Sequence, residues 1–283
     1  MKLISVWRRS LTLRHRLKRA VVATTVVTAL YLSLPTLVTA AGPAIYSAFG
    51  DSIAFGAFAP IGRGYVPLYA KALANDTGVF VSTTDLGVPG WTSADLLGAL
   101  QNKLLFRVSA RASNVITWNI GGNDLSAARN LYKAGACGGA NNEDCLGAAV
   151  MALEKNWEGI IQTLFNLRSG KPTIFRTMDI YNPFVAEDQA SDTVAPFGPG
   201  ATDFDVFKTY LDDVNTYIRL KSMANGVLVA QVYDAFNGSK HDQDPGTANP
   251  PLLAFDDFHP NAAGHALMAS KLRALLYFTV TPP

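Results

Sequence analysis

Apolar residues fall into two alternating rhythms along the chain. Short β-branched and aromatic runs at 45–49, 79–86, 114–120, 173–178 and 227–232 predict five strands. Between them, apolar positions recur at three- and four-residue steps, which predicts helices over 65–75, 92–103, 147–168, 203–224 and 261–277. The strongest is 147–168, where Val150, Leu153, Trp157, Ile160, Ile161 and Leu164 share one face. Phe207, Leu211, Val214 and Ile218 mark the same kind of face in 203–224. Thr92 or Ser93 is available to cap the second helix. Segment 181–203, with Pro183, Pro196 and Pro199, reads as a long loop. Strands alternating with helices imply right-handed crossovers and an α/β fold, a parallel sheet covered on both sides. In such a sheet the site lies beyond the carboxyl ends of the strands.

Charge divides the chain in two. The whole has 283 residues and a formal charge of +2. Residues 1–40 hold seven cations (Lys2, Arg8, Arg9, Arg14, Arg16, Lys18 and Arg19) and no Asp or Glu. An uncharged stretch follows from Ala20 to Ala40, ending in the small-residue pattern Val38-Thr39-Ala40. This reads as a secretory signal over 1–40, cut near Ala40. An uncleaved N-terminal anchor is the alternative, since the stretch is about long enough to span a bilayer. Taking seven from the 24 cations leaves 17 against 22 anions, so 41–283 carries −5. That sign gives no footprint for nucleic acid. The 243 residues of 41–283 suit one domain, read as monomeric and extracytoplasmic. Any membrane contact is expected through the N-terminal segment alone.

Two cysteines exclude a disulfide-dense scaffold and a four-cysteine zinc site. Cys137 and Cys145 flank a Gly/Asn-rich stretch, and export makes a bridge between them the expectation. Closing so short a loop would stabilise by about 2.5 kcal/mol in the chain-entropy model.

The candidate chemistry follows the strands. Gly50-Asp51-Ser52 comes after the first, Gly87-Val88-Pro89-Gly90-Trp91 after the second and Gly121-Gly122-Asn123-Asp124 after the third. Asp256-Asp257-Phe258-His259 follows the fifth after a longer loop. Acyl transfer needs a serine activated by an imidazole, and a carboxylate that holds the imidazole. Ser52 on a strand-to-helix turn, His259, and Asp256 three residues before it meet that need. Donors for a developing oxyanion are available in the Ser52 and Gly90 backbone N–H groups and the Asn123 amide. Asp51 and Asp124 read as turn acceptors, His265 as a packed or capping histidine, and Trp118 as core. Trp91 is a candidate for the pocket lining.

These blocks resemble the SGNH (GDSL-type) serine hydrolases. The resemblance spans about 45–276, with Ile53 where the family has Leu. It implies a three-layer α/β/α sandwich with a five-stranded, flavodoxin-like parallel sheet. It implies Ser52 as nucleophile and first oxyanion donor, Gly90 and Asn123 as the other donors, His259 as general base then acid, and Asp256 as its orienting group. The implied activity is ester hydrolysis through an acyl-enzyme, with no cofactor and no metal, on a small-molecule, lipid or glycan ester. A carbohydrate O-acetylesterase is the neighbouring alternative.

Other classes fit less well. No Gly-x-x-x-x-Gly-Lys-[Ser/Thr] or Gly-x-Gly-x-x-Gly motif occurs, which disfavours a nucleotide site. A metallohydrolase built on Asp256, Asp257, His259 and His265 would leave Ser52 and Asn123 without a task. A silent secreted binding protein conflicts with a filled set of catalytic positions. The apolar residues Tyr181, Phe184 and Phe197 suit an acyl chain, a core or a lid equally well.

Overall fold

Each predicted strand forms, and the five pair in parallel with the second in the chain at one edge, followed by the first, third, fourth and fifth, the flavodoxin order. The computed structural model describes residues 43–193 and 202–283. The signal reading of 1–40, and Pro196, Phe197 and Pro199, lie outside these residues. In chain order the elements are β1 (Ala44–Gly50), α1 (Ser52–Phe55), α2 (Tyr65–Thr77), β2 (Val81–Gly87), α3 (Ser93–Asn102), α4 (Leu104–Ala112) and β3 (Val115–Asn119). Then come α5 (Gly122–Lys133), α6 (Asp144–Leu167), β4 (Ile174–Met178), α7 (Val185–Gln189), α8 (Asp203–Ala224), β5 (Leu228–Ala230), α9 (Val232–Asn237) and α10 (Ala262–Ala274).

The central strands are buried on both faces, as all five residues of β3 show. Their side chains alternate between two apolar layers. Phe49, Ile116, Trp118 and Phe175 face one layer, formed with α3, α4, α5, α6 and α8. Tyr46, Ala48, Val115 and Met178 face the other, formed with α2, α9 and α10. The result is the three-layer α/β/α arrangement. The helix faces are those of the apolar periodicity: Leu153, Trp157, Ile160 and Leu164 on α6, and Phe207, Leu211, Val214 and Ile218 on α8, are all buried. Thr92 starts α3 and Thr202 starts α8, each in a capping box with an aspartate three residues on.

Register sets the rim. Gly50 lies level with Gly87 of β2 and Asn119 of β3. The turns after β1, β2 and β3 therefore leave the sheet side by side, and Val88 N–H donates to the Gly50 carbonyl at 3.0 Å. Gly50 has φ +155°, and a Cβ there would lie 2.3 Å from the Asn119 carbonyl oxygen. Only glycine lets the turn that carries Ser52 pass so close to β3.

Several elements differ from the sequence reading. Residues 104–112 and 122–133 are helical, the second beginning inside the Gly121-Gly122-Asn123-Asp124 turn. The strand expected over 227–232 is shortened to 228–230, because Val232 opens α9. There the Asp179 carboxylate accepts from Val232 N–H and Tyr233 N–H at 2.6 and 2.8 Å, holding the start of that helix. The expected loop 181–203 contains α7. Cys137 and Cys145 are joined by a disulfide.

Candidate active site

Ser52 is the first residue of α1, and Asp51 is its N-cap. The Asp51 Oδ1 atom accepts from Ile53 N–H at 2.9 Å and from Asn119 Nδ2 at 3.1 Å. Asn119 Oδ1 in turn accepts from the Tyr65 hydroxyl at 2.6 Å. This buried chain fixes the turn below Ser52. Burial pushes the Asp51 carboxyl up to about 7, against the hydrogen bonds that lower it. Asp51 thus acts through the backbone, as a cap.

The last block reaches the same place from the other end of the chain. Asp256 Oδ1 accepts from Phe258 N–H at 3.3 Å and His259 N–H at 3.1 Å, an Asx-type turn. That turn swings the imidazole back onto its own carboxylate. His259 Nδ1–H donates to Asp256 Oδ2 at 2.5 Å. With the proton on Nδ1, Nε2 is left to accept, and the Ser52 hydroxyl lies 2.9 Å from it. Burial raises the Asp256 carboxyl, but hydrogen bonds from the His259 ring and two backbone N–H groups outweigh this and hold it below the ordinary carboxylate range. The adjacent Asp257 is exposed, with a left-handed φ of 52°, and its N–H donates to the Ala254 carbonyl. The Tyr181 hydroxyl donates to the Phe258 carbonyl at 2.7 Å and steadies the segment.

Gly90 and Asn123 are tied to each other through the residue between their blocks. Asn123 Nδ2 donates to the Trp91 carbonyl at 2.8 Å, which occupies one of its two N–H groups. Asp124 accepts from Ser93 N–H at 2.9 Å and from the Ser93 hydroxyl at 2.5 Å, stitching α3 to the first turn of α5. Gly90 has φ +81°, and a Cβ there would meet nothing within 4 Å. Its glycine therefore answers to backbone conformation, not to crowding. Ser52 opens one helix and Asn123 lies in the first turn of another, where backbone N–H groups lack intrahelical acceptors. The Trp91 ring stacks on Phe106 with centroids 5.3 Å apart, within the apolar layer.

His265 takes no part in this cluster. It is fully buried, its Nδ1 accepts from Tyr65 N–H at 3.3 Å, and its Nε2 lies 3.2 Å from the Ala57 carbonyl. Among the described residues, no group of three or more His, Cys, Asp or Glu is arranged to hold a metal ion.

A narrow apolar cavity of about 30 Å³ is lined in part by Ile53 of α1. Ile53, Leu125, Phe184, Phe207, Leu211 and Phe258 are among its walls, so Ser52 and His259 each have a chain neighbour in it. Beside Phe184 lies an ionic network, buried at Arg129, Asp188 and Asp203, that the sequence reading misses. Arg129 on α5 pairs with Asp188 and Glu187 on α7, and Lys133 joins Asp188 and Asp203. The Arg129 guanidinium also sits 3.8 Å from the Phe184 ring centroid. The cavity wall is thereby fixed by charge as well as packing.

Residues 48–267 match the family described as GDSL-like Lipase/Acylhydrolase. The uncharacterized protein YpmR of Bacillus subtilis (strain 168) is 26% identical over 233 residues, covering 81% of this chain and 79% of that one. Among solved structures, the lipase Lip_vut3 from a goat rumen metagenome shares 23% identity and a TM-score of 0.66, over 83% of this chain and 98% of its own. A mutant of Axe2, an acetyl-xylooligosaccharide esterase from Geobacillus Stearmophilus, shares 17% identity and a TM-score of 0.56, over 83% and 96%. At these identities the structural likeness shows the fold.

Proposed function

The chain belongs to the GDSL-like lipase/acylhydrolase family, and from that premise we propose that it is an exported serine esterase acting on carboxylic esters of short acyl chain. The observation that carries this reading is the continuous chain from the Ser52 hydroxyl to His259 Nε2 at 2.9 Å and from Nδ1 to Asp256 at 2.5 Å. Ser52 Oγ attacks the ester carbonyl and its proton passes to His259 Nε2. The tetrahedral oxyanion is met by Ser52 N–H, Gly90 N–H and the second N–H of the Asn123 amide. As the carbon–oxygen bond to the alcohol breaks, His259 returns the proton to the leaving oxygen. Water then attacks the acyl-serine as His259 takes its proton; the bond from the acyl carbon to Oγ breaks, His259 returns the proton to Oγ, and the acid departs. Asp256 keeps the ring in the tautomer that both steps require.

The small apolar cavity beside Ile53 and Phe258 supports an acetyl or similarly short acyl group. Export is supported by the basic, then uncharged, N-terminal sequence and by the Cys137–Cys145 bond.

A fluorophosphonate probe tests the reading directly. One equivalent is expected to attach at Ser52, with parallel loss of nitrophenyl acetate turnover. Labelling elsewhere, or turnover that survives full labelling, would refute the serine mechanism. Asn123→Ala is expected to lower kcat by about 10²–10³ with KM little changed. An effect within threefold would remove that amide from the oxyanion site.

A further inference from the structure

Two phenyl rings contact the His259 imidazole. Phe258 meets it edge-on with centroids 4.9 Å apart, contacts Phe184 at 5.6 Å, and is a wall of the apolar cavity. Phe58 stacks on the imidazole, also at 4.9 Å and inclined by 24°. Phe255 meets Phe58 edge-on at 5.1 Å. Phe58 is 43% exposed and Phe255 88%. Two phenyl rings therefore stand in the open beside the proposed base.

Burial does not explain them, and the backbone around Phe58 is held against local preference. Phe58 has φ 61°, a left-handed conformation unusual for a bulky residue and found most often where function requires it. His265 holds the loop in place: its Nε2–H donates to the Ala57 carbonyl, and its Nδ1 accepts from Tyr65 N–H beyond the loop. Between Ser52 and Gly64 the only charged residue is Arg63. The surface beside the imidazole thus has no carboxylate of its own from that loop.

We propose that Phe58 and Phe255 form the subsite for the alcohol portion of the ester, and that it takes an aromatic or other apolar alcohol. The proposal rests on the esterase reading. The leaving oxygen must come within reach of His259 Nε2 to receive its proton, so the body of the alcohol has to lie beside that ring. In the esterase reading the acyl group takes the cavity walled by Phe258. Phe58 and Phe255, exposed beside the imidazole, are then left to the alcohol, and their rings offer stacking to an apolar group at the point of departure.

The test holds the acyl group and the leaving-group chemistry constant. Ethyl acetate and 3-phenylpropyl acetate both release simple alkanols, and the full chain is assayed on each by pH-stat below its solubility limit. Phe255→Ala, at an exposed position, and Phe58→Gly, which also relieves the positive φ, are each expected to lower kcat/KM for 3-phenylpropyl acetate about five- to tenfold. Ethyl acetate is expected to change by less than about twofold. Where deacylation limits turnover, kcat stays level, because both substrates give the same acetyl-enzyme. Phe80→Ala, an exposed ring just before β2, on the opposite rim of the sheet, serves as the unchanged control. Equal losses on both esters, no loss on either, a shift in acyl-chain preference instead, or a loss seen only on aggregated substrate would each overturn the subsite. No turnover of any ester by the unaltered chain would overturn the esterase reading, and the subsite with it.

Discussion

Ser52→Ala is expected to lower kcat for ester hydrolysis by about a millionfold, the loss typical when a serine nucleophile acting in concert with its base is removed. Among the described residues the Ser52 hydroxyl lies 2.9 Å from His259 Nε2, and in the proposed mechanism it accepts the acyl group while passing its proton there. Without it, water has to attack with no covalent intermediate. The oxyanion donors remain, so a residual rate of about 10³ above that in water should persist. Folding should survive, because one hydrogen bond of about 1 kcal/mol is lost. For a domain of this size that corresponds to a fall in Tm of roughly 2–4 °C. Steady-state turnover, the burst of released nitrophenol and a thermal melt together check the outcome. A variant that retains a tenth of the activity would end the nucleophile assignment.

What the sequence discloses about such a site depends on how far apart the cooperating residues lie. Asp256 and His259 are three positions apart, and an Asx turn is enough to join them, so their pairing is legible from spacing. Ser52 and Asn123 are legible because each follows an apolar strand and glycine: Gly50 ends β1, and Gly121-Gly122 come shortly after β3. The strands β1 and β3 read clearly for the same reason. Helix α5 does not, because it starts within a glycine-rich turn and its buried face includes Arg129 beside Leu125, Ala128 and Tyr132. A buried arginine breaks the apolar period, and it is tolerated only because Asp188, 59 residues away, is there to meet it. No local pattern announces such a partner. The same holds for Phe58 against His259, and for His265 against Ala57, 208 residues apart. The blocks of the candidate site are written locally, whereas the walls and braces around them exist only through tertiary contact.

Asp256→Asn is the second large effect, with an expected loss of about 10⁴ in kcat and little change in KM. The asparagine keeps its Oδ1 and can still accept from Phe258 and His259 N–H, so the turn is retained. Its amide nitrogen, however, stands where Oδ2 accepted from the ring. An N–H facing Nδ1 makes Nδ1 the acceptor and moves the ring proton to Nε2. The Ser52 hydroxyl then faces a donor in place of its base. Stability provides an independent check with a definite sign. The wild-type carboxyl titrates below its ordinary 3.8 when folded, so the ionised form is favoured by folding. This contribution is complete above the unfolded value and is lost as pH falls through the folded one. The gap in Tm between wild type and variant should therefore be widest above the ordinary carboxyl value of 3.8 and narrow as pH falls below it. The activity loss should persist at neutral pH, because it arises from the tautomer and not from unfolding. If kcat falls less than tenfold, the orienting role passes to another group, and Asp257→Asn, expected to be near-silent here, becomes the variant that identifies it.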